Sequence, residues 1–87
     1  VTRIACQQLA PVMGDLAANE ALTLSAIREA VKNGADVVVL PELATSGYMF
    51  ESSAEADALA IPVGHDILIK WAAEAAASDI VLVGGFC

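Results

Sequence analysis

Glu42 is the residue of this sequence best placed to do chemistry. It directly follows Val37-Val38-Val39-Leu40-Pro41, and it opens a segment, Glu42 to Glu51, that holds Ser46-Gly47 and Tyr48. Four apolar residues in a row, three of them β-branched, predict a strand that is apolar on both faces, the mark of a central parallel strand. Pro41 has no N–H to give to a ladder, so the strand must stop there. Open α/β sheets form their sites at the carboxyl ends of their strands, which is where Glu42 falls. Partial desolvation on such a rigid edge is what turns a carboxylate into a proton shuttle near neutral pH. The plainer reading is an ordinary loop carboxylate, and position alone does not separate the two.

Other reactive side chains are less well placed. Cys87 follows Gly84-Gly85-Phe86 at a strand end, but a nucleophilic thiol needs a nearby base or cation and no His or Lys flanks it. Cys6, inside the first strand, is expected to be a small buried apolar residue. His65-Asp66 reads as a helix-start turn, since a metal site needs three or four ligands. Ser46 lacks the flanking pattern of a nucleophile elbow. Neither GxGxxG nor a P-loop run occurs, so nucleotide binding has no positive support. Trp71 sits on a helical stripe and is expected in the core.

The elements that must position Glu42 follow from periodicity. Thr2 to Leu9 predicts a first strand, closed by Pro11, and Ala10 to Asp15 a connector. Leu16 to Asn33 predicts a helix: Leu16, Leu24, Ile27 and Val31 form a stripe, with Ser25, Arg28, Glu29 and Lys32 on another face. Gly34 stands where a left-handed cap is wanted. After the strand Val37 to Leu40, Ser52 or Ser53 caps a short helix through Ala60, and Pro62-Val63-Gly64 breaks the chain. Asp66 is expected to cap a helix from Ile67 to Ser78 with Leu68, Trp71, Ala72 and Ala75 as its apolar stripe. Ile80 to Val83 predicts a third strand, ended by Gly84-Gly85. Such alternation implies an α/β fold with a parallel sheet, its strands covered on both faces, and right-handed crossovers.

Composition sets the outer bounds. With 87 residues the chain holds one small domain at most, and 57% hydrophobic residues is high for that size, so a fragment or a partner is expected. A net charge of −7 argues against nucleic-acid binding, which needs cations to neutralise phosphate. No apolar run approaches the roughly 18–20 residues that span a bilayer, and no signal peptide is evident. Two distant cysteines form no scaffold, and a cytoplasmic location without membrane association is the expectation.

The ordered motifs resemble those of the nitrilase, or carbon–nitrogen hydrolase, superfamily. Gly34-Ala35-Asp36-Val37-Val38-Val39-Leu40-Pro41-Glu42-Leu43-Ala44-Thr45-Ser46-Gly47-Tyr48 is similar to its glutamate motif. Ile4-Ala5-Cys6-Gln7-Gln8-Leu9-Ala10-Pro11 looks like its first strand, with Gln8 in its familiar place. Gly14-Asp15 and Asn19 match the turn and the start of its first helix, and Ile80 to Gly85 its third strand. Each motif is weak alone; the ordered set covers nearly the whole chain.

The resemblance implies that residues 1–87 are the N-terminal part of a single carbon–nitrogen hydrolase domain. Its fold would be the βαβαβ portion of an αββα four-layer sandwich. It further implies a Glu-Lys-Cys triad acting on a non-peptide amide, carbamoyl or nitrile substrate, with Glu42 as general base and no cofactor or metal. Tyr48 matches a loop residue near the substrate pocket. The family's lysine and cysteine lie well downstream, and neither Lys32 nor Lys70 matches that lysine. A homo-oligomer, dimer or larger, is implied for the parent protein. The alternative is a catalytically incomplete, truncated α/β module that only associates with partners.

Overall fold

Strands and helices follow each other as β1 (Ile4–Cys6), α1 (Leu16–Lys32), β2 (Val37–Val39), α2 (Ser53–Leu59), α3 (Asp66–Ser78) and β3 (Val81–Val83). The structure is a computed structural model and describes residues 1–47 and 50–87. The strands form one parallel sheet in the order β1-β2-β3, with the predicted apolar run at its centre. Each ladder is shorter than the sequence suggests, and Pro41, which has no N–H to give, ends β2 on its carboxyl side. Single bonds extend the pairing, from Gln7 N–H to Val39 O at 2.9 Å and from Leu40 N–H to Val83 O at 2.8 Å.

α1 begins where Asp15 accepts a hydrogen bond from the Ala18 N–H at 2.9 Å, satisfying one of the orphan donors of a first turn. It ends in a Schellman arrangement. Ala35 N–H reaches Ala30 O at 3.0 Å and Gly34 N–H reaches Val31 O at 2.9 Å, with Gly34 at φ +86° as the left-handed position requires. α3 ends the same way around Asp79 at φ 52°. Its first cap is His65, whose Nδ1 accepts from Ile67 N–H at 3.1 Å, and not the expected Asp66, which lies inside the first turn.

Both long helices lie on one face of the sheet. Ala5, Val38 and Leu82 are in register and face a core of Ile27, Ala30, Leu40, Ile67 and Trp71. The expected stripe of α1 is present through Ile27, but the fully buried line also includes Asn19 and Thr23. In α3 the buried residues are Ile67 and Trp71, while Ala72 is exposed. Arg28 of α1 and Glu74 of α3 pair across the surface at 2.6 Å, a solvent-exposed contact of little energetic weight.

The expectation of cover on both faces is not met within these residues. When strands are added in one direction, right-handed crossovers put every connecting helix on the same side. The order β1-β2-β3 never reverses, so α1 and α3 share a side. The opposite face carries two rungs, Ile4–Val37–Val81 and Cys6–Val39–Val83. Ile4, Val81 and Val83 are 61%, 60% and 52% exposed there. Cys6 belongs to this face and is exposed, which corrects the expectation that it is buried.

Candidate functional site

Glu42 opens a turn at the carboxyl end of the central strand, and the main chain around it is held from three directions. Residue 85 brackets it: Gly85 N–H donates to Pro41 O at 3.3 Å, and Ala44 N–H donates to Gly85 O at 3.1 Å. Gly47 N–H closes the turn on Leu43 O at 2.9 Å, and Gly14 N–H reaches Ser46 O at 3.1 Å. From α1, the Asn19 Nδ2 donates to Thr45 O and to Val12 O, both at 2.8 Å. Asn19 Oδ1 accepts from Val12 N–H at 2.6 Å. A fully buried amide with both donors and its acceptor engaged is a rigid tie between two loops.

Ala44, Thr45 and Ser46 are completely buried, whereas Glu42 is exposed. The partial desolvation expected of Glu42 is therefore not seen in these residues, because the packing grips the turn through its main chain and through residues 44–46. A hollow of about 380 Å³ lies beside Pro41 at the carboxyl ends of β1 and β2, with Cys6, Gln8 and Val39 in its wall. Thr45 Oγ1 has no hydrogen-bond partner among the described residues. A buried hydroxyl in that condition is unfavourable, so Thr45→Val, which keeps the shape, is expected to raise stability by about 1 kcal/mol. Urea unfolding checks this, and a loss of stability would mean that the hydroxyl is bonded.

The remaining candidates are engaged as follows. Tyr48 falls outside the described residues. Cys87 donates its thiol to Ala56 O at 3.7 Å, next to α2. Lys32 is in the last turn of α1, which leads into the start of β2, the end of the strand opposite Glu42. Lys70 pairs with Glu20. That hydrogen bond and the charge of Glu20 hold its ammonium above the ordinary lysine value, so near neutral pH it is a committed cation and not a proton-transfer group. His65 is occupied as a helix cap.

In the sequence, Gly85 marks only the end of a strand and Asn19 only a residue of the resemblance at the start of the first helix. For Asn19 a signal was present. It stands at i+3 from Leu16 and at i−4 from Thr23, in line with the apolar stripe, where a polar residue must find buried partners. For Gly85 no local signal exists, since the need for a bare backbone arises from a segment about forty residues earlier.

A parallel βαβαβ unit with a carboxylate on a fixed turn at its central strand defines an α/β protein whose candidate site is the sheet's carboxyl edge, where open α/β sheets form their sites. The carbon-nitrogen hydrolase family model matches residues 3–87, and the chain belongs to that family. The described sheet and helices are compatible with an N-terminal portion of a nitrilase-like fold. No curated protein sequence matches the chain. Carbon–nitrogen hydrolysis is the activity that the family implies in general.

Proposed function

We propose that these residues are the N-terminal part of a single carbon–nitrogen hydrolase domain, with Glu42 as its general base. The observation that carries this reading is the fixed turn that presents Glu42 after the central strand of a chain matched by the family over residues 3–87. In the reaction a cysteine thiol, outside these residues, gives its proton to Glu42 and attacks the carbon of a small amide, carbamoyl or nitrile substrate. For an amide, an S–C bond forms, the C–N bond breaks, and the amine leaves with that proton. Water, deprotonated in turn by Glu42, then cleaves the thioester and restores the thiol. A lysine, likewise outside these residues, stabilises the charge that develops on the substrate. Tyr48, two residues beyond Ser46, is proposed to line the substrate pocket.

The reading includes a cytoplasmic protein that assembles as a homo-oligomer. The second reading, a catalytically incomplete module that only associates, is favoured by one observation, the open apolar face bearing Ile4, Val81 and Val83. One experiment separates them. The full gene product is incubated with propionamide, N-carbamoylglycine and propionitrile, and ammonia release and the intact mass of the protein are followed. Ammonia together with a transient acyl adduct on a cysteine supports the hydrolase. No turnover of any of the three, in a gene product lacking a downstream lysine and cysteine, supports the associating module.

A further inference from the structure

We infer that Gly85 and Asn19 are positioning residues for Glu42, holding its main chain where its carboxylate can serve as a base; this rests on the reading of Glu42 given above. The two act from opposite sides of the turn. Gly85 uses both its N–H and its C=O on Pro41 and Ala44, the residues that flank the Glu42-Leu43 step. It lies so close that a Cβ at position 85 would sit 1.5 Å from the Glu42 carbonyl oxygen and 2.8 Å from its Cα. No rotamer relieves such a contact, because the obstructing atoms are backbone. Any side chain at 85 must therefore push Glu42 itself, and glycine is required here for space.

Asn19 fixes the other end. Its amide joins Thr45 O to the backbone N–H and C=O of Val12, and Gly14 N–H adds a bond to Ser46 O. The turn is thus tied to β3 before residue 45 and to the β1–α1 connector after it, with Glu42 between the first pair of ties. A proton-transfer group works only within hydrogen-bond reach of its partner, and a misplacement of about 1 Å can cost about 100-fold in rate. Neither residue needs to touch substrate to exert this control.

The test uses the full gene product and whichever of the three probes it turns over fastest. Gly85→Ala is expected to lower kcat about 100-fold while KM stays within about threefold, because transition-state proton transfer and not binding is lost. The acid limb of its pH–rate profile is expected to move as well, which a merely structural role would not cause. Gly64→Ala is the control, since a Cβ there meets nothing within 4 Å, and it should keep parent values. Should Gly85→Ala fail to fold, Asn19→Asp decides. It retains the acceptor for Val12 N–H, loses the donations to Thr45 O and Val12 O, and should lower kcat at least about tenfold by the same displacement. Parent kcat and pH profile in the folded variant overturn the inference. Glu42→Gln, run in parallel, separates the two levels. Undiminished turnover there removes Glu42 and the positioning claim together. Lost turnover there with an unaffected folded Gly85→Ala removes the positioning claim alone.

Discussion

Glu42→Gln in the full gene product is expected to lower kcat about 10²–10⁴-fold, the usual worth of a positioned general base. The substitution keeps the size and planarity of the side chain and removes its capacity to take up a proton. The ties that hold the turn run through the carbonyls of residues 41, 43, 45 and 46 and the N–H of residue 44, and the substitution keeps all of these. KM should change little, because a group engaged chiefly in the transition state contributes little to ground-state binding. The measurement is ammonia release under saturating substrate, with circular dichroism to verify folding. Turnover within about threefold of the parent would take Glu42 out of the mechanism, since even a weak general base contributes about 10²-fold. It would leave the family assignment untouched.

Trp71→Ala carries the largest expected effect on stability, a loss of about 3–5 kcal/mol. Trp71 is 5% exposed and joins α3 to the core shared by α1 and β2. Its Nε1–H donates to Thr23 Oγ1 at 2.9 Å, while that hydroxyl donates onward to Asn19 O at 2.8 Å. The ring also fills the space beside Gly84, where a Cβ would lie 2.8 Å from it. For 87 residues a total stability of roughly 4–13 kcal/mol is usual, so the loss takes a large share of it. Trp71→Phe, which keeps most of the packing and removes one hydrogen bond, should cost about 1 kcal/mol beyond the small change in buried area. Trp71 is the sole tryptophan of these 87 residues, so their urea unfolding must be followed by circular dichroism and not by its fluorescence. Equal midpoints for the parent and Trp71→Ala would show that the ring is not part of the core.

What could be read from the sequence was whatever rests on local pattern. The β-branched run 37–39 and the glycine at 34 each state their conformation within a few residues, and both lie where periodicity and capping chemistry placed them. Cys6 shows where the local pattern falls short. The small apolar character of a free cysteine signals burial, but which face of a strand is covered depends on the direction in which strands are added, a property of the whole topology. Asp66 lost the cap to His65 because an imidazole nitrogen one residue earlier already meets the Ile67 N–H. At the candidate site, Glu42 was legible because a proline and a strand end mark its position. The grip upon it was not, since Asn19 and Gly85 reach it from elements far away in sequence.

The bracket from residue 85 also sets an order of events during synthesis. The Asn19 and Gly14 ties to the turn join segments that all lie within the first 47 residues, but the Gly85 tie must wait for the end of β3. At ribosomal rates of about 5–20 residues per second, the roughly forty intervening residues take about 2–8 s. Until Gly85 is in place the turn can be anchored from one side only, and Pro41 O and Ala44 N–H lack the partners that Gly85 supplies. The carboxylate thus reaches its final station as one of the last acts of this part of the chain, after the helices that flank it have been made.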